Sequence, residues 1–117
     1  MKFFSAVVMF SGLAGAASAE THFNPDFYNL LKENGSTEQA FNYALAWAGS
    51  SSQEAETAVA YALLDGIGVE PNPYLAIVIA CRSTTIDEFD VSRILIQGNL
   101  RLAKKDFQPI KCDREAP

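Results

Sequence analysis

Few residues of this chain have types that carry covalent or metal chemistry. Its 117 residues include one histidine and two cysteines. His22 has no second imidazole at a ligand spacing, and Cys81 and Cys112 do not form a Cys-x-x-Cys pair. Neither a metal site nor a histidine-activated nucleophile is expected from such material. The carboxylates offer more. Glu54 with Glu56, and Asp87-Glu88 with Asp90, are close enough in sequence to consider two-acid hydrolysis of a glycoside. Both groups also stand where helices are expected to begin, and acids there complement the helix dipole. Gly66 and Gly68 do not make a phosphate loop, because Val69-Glu70 follows them instead of Lys-Ser/Thr. The expectation is therefore no catalysis, no metal and no cofactor.

The elements that would position these residues begin after an address. Lys2, the apolar stretch Phe3 to Leu13 and the small-residue end Ala17-Ser18-Ala19 have the layout of a secretory signal peptide over residues 1–19. The stretch is too short to span a bilayer, which needs about 20 apolar residues, and the longest later apolar run is only Tyr74 to Cys81. No membrane span is expected after cleavage. Cleavage after Ala19 leaves residues 20–117 as one small domain, secreted or periplasmic. Losing Lys2 moves the formal charge from −5 to −6, so nucleic acid is an unfavourable partner for the surface as a whole. In an oxidising compartment the two cysteines pair with each other. A Cys81–Cys112 bridge would stabilise the domain by roughly 3.5 kcal/mol in the chain-entropy treatment.

The rest of the chain reads as five short helices. Asn24-Pro25 is a cap and a first-turn proline, opening a helix to about Glu33 with Phe27, Leu30 and Leu31 on one face. Asn34-Gly35-Ser36 fits a glycosylation sequon and equally the end of one helix followed by the start of the next. Ser36-x-x-Gln39 predicts a capping box and a helix to about Ala48, with Phe41, Leu45 and Ala48 inward and Trp47 at the margin. Ser51-x-x-Glu54 opens a third helix, to about Leu64, and Asp65-Gly66-Ile67-Gly68 stops it. Asn72-Pro73 starts a fourth, Tyr74 to Arg82, apolar all round and so expected to be the central buried element, although its β-branched run Ile77-Val78-Ile79 would also suit a strand. Thr85-x-x-Glu88 caps a last helix, about Asp87 to Lys105, with Val91, Leu95, Gly98 and Leu102 on one face and Ile94 beside them. Gly98 either costs about 1 kcal/mol relative to Ala or admits a closely packed helix. No stretch alternates with period two and no hairpin turn occurs. The expected class is all-α, built of helical hairpins and stapled by one disulfide.

One spacing is more specific. Gly66-x-Gly68-Val69-x-x-Asn72-x-x-x-Ala76 resembles the hallmark of the Sel-like repeats, a branch of the tetratricopeptide-type helical repeats. In that family a Gly-x-Gly-Val turn ends the first helix, an Asp or Asn caps the second, and an Ala lets the two approach. Ala55 and Ala60 match small positions of the first helix, and Ala40 and Ala48 those of a preceding repeat. Ala60, Leu63 and Ile79 depart from the usual Gly, Tyr and Trp, and no second Gly-x-Gly-Val appears. The likeness covers roughly Ala40 to Ser83, with the hairpin at about 52–83. It implies an exported protein-binding module that acts by contact with another protein. A second likeness concerns the overall layout: signal peptide, short helical domain, acidic surface and a Lys-Cys near the end. This is similar to the periplasmic immunity proteins that neutralise type VI amidase toxins, and Ile110-Lys111-Cys112 is its local match. The acidic residues that follow depart from that pattern. It implies an inhibitor that plugs the cleft of a toxic or cell-wall hydrolase.

Charge is segregated along the chain. Residues 20–90 carry 11 acids and 2 bases, whereas residues 91–117 carry 3 acids and 6 bases. On the last helix Arg93, Gln97, Arg101 and Lys104 follow helical spacing opposite the apolar stripe, and Lys105 extends them. They form either a docking stripe for an acidic partner or a solvated face whose late cations complement the helix end.

Overall fold

The computed structural model describes residues 22–50 and 52–112. Residues 1–21, on which the expected signal peptide falls, Ser51 and residues 113–117 lie outside these. The described chain is all-α: α1 (Pro25–Glu33), α2 (Thr37–Ala48), α3 (Gln53–Asp65), α4 (Pro73–Arg82) and α5 (Glu88–Ala103), with no strand among the described residues. Each helix packs on the next, and α3 also touches α5.

Four helices are capped by side chains. Asn24 Oδ1 accepts from the amides of Asp26 and Phe27, Ser52 Oγ from Ala55, Asn72 Oδ1 from Leu75, and Asp87 Oδ1 from Phe89. Three expected capping boxes are corrected. Ser36 precedes α2 but makes no side-chain cap, because its φ of −118° and ψ of 65° leave the extended conformation that capping needs. Its amide instead closes the end of α1 on Leu31 O. The cap of α3 is Ser52 and not Ser51, which moves Glu54 off the box position. Thr85 caps nothing; its hydroxyl goes to Glu56 and Asp87 takes over.

The inward faces also differ from expectation. On α1, Tyr28 is buried while Phe27 and Leu30 are exposed. Phe23, just before the Asn24 cap, packs on Tyr28 and stacks on Tyr43, a staple that sets the roll of the helix. On α2, Ala40, Phe41 and Ala44 are buried and Leu45 is exposed. Packing through alanine lets α2 lie close to its neighbours, and the larger Leu45 is turned out. The central element is α3, with Ala55, Val59, Ala60, Ala62, Leu63 and Leu64 all buried. The expectation that α4 is buried all round fails. It packs on α3 and α5, but Tyr74 and Leu75 face solvent because no further described helix covers that side.

The α3–α4 corner uses both glycines at positive φ, 78° at Gly66 and 77° at Gly68. A β-carbon on Gly68 would collide with the Thr37 carbonyl oxygen, so this corner sits directly on the start of α2. The Asn72 amide reaches back to Leu63 O at 2.6 Å, Val69 packs against the core, and Ala76 is fully buried. On α5, a β-carbon at Gly98 would meet Ile77 Cδ1 at 2.8 Å. Gly98 therefore serves the close approach of α4 and α5. The Cys81–Cys112 bridge, with Cα atoms 5.4 Å apart, ties the segment after α5 to the end of α4.

Gly68→Ala is expected to destabilise the fold by at least about 2 kcal/mol, combining left-handed strain with a backbone collision. Gly35, at φ 88° with nothing within 4 Å of an added β-carbon, supplies the control. Gly35→Ala should cost only about 1 kcal/mol. Urea denaturation of the two variants measures the difference.

Candidate functional site

Three of the acids singled out in the sequence, Glu56, Asp87 and Asp90, are engaged in holding the fold. Glu56, on α3, accepts from the Ser83 hydroxyl at 2.5 Å and from the Thr85 hydroxyl at 2.7 Å. Ser83 Oγ in turn accepts from the amides of Thr85 and Ile86. One carboxylate thus organises the whole α4–α5 connection. Asp90 accepts from the Tyr61 hydroxyl at 2.8 Å, joining α5 to α3. Asp87 is a cap, and Glu54 and Glu88 lie in the first turns of α3 and α5. Glu54 and Asp90 do share one open depression of about 440 Å³, which Phe23 and Tyr28 also line. Asp90 is committed there to Tyr61. His22 is exposed at the edge of the described residues, and no group of three His, Cys, Asp or Glu converges among them.

Burial, then the hydrogen bond from its hydroxyl to Asp90 and the negative charge of that carboxylate, push the Tyr61 phenol up to about 12, against a smaller opposing effect of Arg93. Burial also raises Tyr28. Both phenols are neutral at ordinary pH, and that of Tyr61 donates to Asp90.

The predicted basic residues divide into two sets. Arg101 Nη2 lies 3.0 Å from Asp65 Oδ1, with both side chains about two-fifths exposed, so the pair is worth little by itself. Arg101 Nη1 also donates to Gln97 O at 3.5 Å. The Arg93 guanidinium stands 5.9 Å over the Tyr61 ring. These two arginines lean on α3 and help seat α5. Lys104, the C-cap of α5, and Lys105 beyond it are exposed. Lys105 stands at the rim of an apolar cavity of about 530 Å³ between the start of α4 and the returning tail.

The stripe does not lie opposite the core-facing residues, as expected. Phe89, Ile96 and Leu100 do, at 68 %, 59 % and 55 % exposure. The cations run between this apolar line and α3, because Tyr61 and Asp65 hold the two arginines to that side. Phe89, Ser92, Arg93 and Ile96, at helical positions i, i+3, i+4 and i+7, line a surface depression of about 240 Å³ together with Gln97. The seven-residue interval from Phe89 to Ile96 is the sequence signal that points to this line. Asn99 is a second residue that sequence reasoning passed over. Its side chain donates to Ile110 O and accepts from Ile110 N, both at 2.9 Å, pinning the tail beside the disulfide. Polar side chains of this kind carry no spacing signal, since the partner is a backbone brought back by the fold.

Comparison with protein-family models, curated proteins and solved structures finds no match to this chain.

A pH prediction follows from Tyr61. Its raised value means that the folded state favours the neutral phenol. That contribution is complete below the ordinary value of 10 and is lost as pH rises toward about 12. The urea midpoint should fall across this window, and fall less in Tyr61→Phe, which cannot ionise.

Proposed function

We propose that this chain is an exported, non-catalytic protein-binding module that engages its partner through the outward face of α5. The observation that carries this reading is the line Phe89, Ile96 and Leu100, more than half exposed and flanked by Arg93, Gln97 and Lys104. Three large apolar residues in a row on one helix are unfavourable in water unless something covers them. The flanking cations would orient an acidic rim on the partner. The non-catalytic reading is supported by the structural employment of Glu56, Asp87 and Asp90.

The Sel-like resemblance is in keeping with this role. Gly66, Gly68, Val69, Asn72 and Ala76 form a tight corner that seats one helical hairpin against the start of the helix before it. Stacking of that kind is how helical repeats build binding surfaces. Export is supported by the signal-like residues 1–19 together with the disulfide, which is compatible with an oxidising compartment.

The chain recovered from the exported fraction should begin at Glu20 by N-terminal sequencing. Used as bait on that compartment, it should capture a protein that Phe89→Ser/Ile96→Ser does not, with the helical circular dichroism of the two baits equal. Equal capture by both would overturn α5 as the site. A captured hydrolase that loses activity on binding would assign the inhibitor role.

A further inference from the structure

The outward face of α5 is self-complementary, and we infer that its partner is a second copy of this chain, packed antiparallel about a twofold axis at Ile96. This rests on the reading of α5 as the binding face and names what covers it. Three observations lead there. First, the depression lined by Phe89, Ser92, Arg93, Ile96 and Gln97 includes the i, i+3, i+4, i+7 set that forms the hole for one side chain of a facing helix. Its occupant is therefore a helix side chain.

Second, the register is closed. With the axis at Ile96, Leu100 of one copy stands at the height of Ser92 of the other, in the middle of the hole. The same operation seats the first copy's hole on the second copy's Leu100, as a twofold contact requires. Phe89 then faces Ala103, and Ile96 faces its own symmetry mate. Phe89, Ile96 and Ala103 recur every seven residues, the interval that keeps a seam between two helices.

Third, charge chooses the direction. Asp87, Glu88 and Asp90 stand at the start of α5, and Lys104 and Lys105 at its end, beyond the Arg101–Asp65 pair. An antiparallel pair sets acidic starts beside basic ends and opposes the helix dipoles. A parallel pair would set like ends together.

Analytical ultracentrifugation of the purified full chain should show a monomer–dimer equilibrium with dimer dominant by about 100 μM. Leu100→Glu, an exposed position, should weaken it at least ten-fold without loss of helical signal. Register is read by disulfide trapping on non-reducing gels. Ile96→Cys should link to itself, whereas Phe89→Cys should link to Ala103→Cys in a mixture and not to itself. Self-linking of Phe89→Cys as readily as Ile96→Cys would overturn the antiparallel arrangement. A chain that stays monomeric at about 100 μM, or a dimer indifferent to Leu100→Glu, would overturn the inference. If that monomer still captures another protein and Leu100→Glu abolishes the capture, self-pairing fails while α5 remains the binding face.

Discussion

Close approach of helix backbones is the constraint on which the rest of this structure depends. The contact positions are filled by the smallest side chains: Ala40 and Ala44 on α2, Ala55, Ala60 and Ala62 on α3, Ala76 and Ala80 on α4, and Gly98 on α5. Gly68 carries the principle to its limit, with no space at all for a β-carbon against the Thr37 carbonyl. Only on these terms does the single helix α3 touch α2, α4 and α5 together. The choice has an energetic consequence. An alanine side chain removes far less apolar area from water than a leucine, so hydrophobic stabilisation per contact is small. The largest side chains that are fully buried, Ile77, Ile86 and Ile94, come from α4, α5 and their connection.

Beside these close contacts the fold is held by a few polar ties between distant elements. Glu56 gathers Ser83 and Thr85 and so shapes the α4–α5 connection. Tyr61 and Asp90 join α3 to α5. Asn99 and the Cys81–Cys112 bridge hold the returning tail at two points, so that Ile110 packs against the core. Residues that would suggest chemistry by type alone are thus explained by mechanical work at the joints. Among the features these ties leave unexplained is an apolar one, the outward line of α5.

That line and the basic residues beside it have a common origin. The core-facing side of α5 meets α3 and α4, while its opposite side meets no described helix. Tyr61 and Asp65 draw Arg93 and Arg101 toward α3, which leaves Phe89, Ile96 and Leu100 uncovered along the crest. An interior helix of a repeat array would hide such residues under the next unit. Here they are available to a partner, and the acidic start and basic end of the same helix give that partner a direction.

Among the described residues, the sequence by itself determined that there are five helices and, to within a residue or two, where they begin and end. Asn24-Pro25 and Asn72-Pro73 act within four residues, and Gly35, Gly66 and Gly68 stop or turn the chain through their own φ, so these signals survive any change of surroundings. The pairing of the only two cysteines was readable for the same reason: it required no knowledge of neighbours. Tertiary structure alone decided which side of each helix turned inward. Phe27, Leu30 and Leu45 lost to Tyr28 and Ala44, because helices with apolar residues on more than one side leave their roll open until a neighbour of particular shape settles it. It also decided that Ser36 and Thr85 would not cap, that Glu56 would bind a distant loop, and that Arg93 and Arg101 would lean on α3. Each of those outcomes depends on a partner far away in the chain, and no local spacing encodes it.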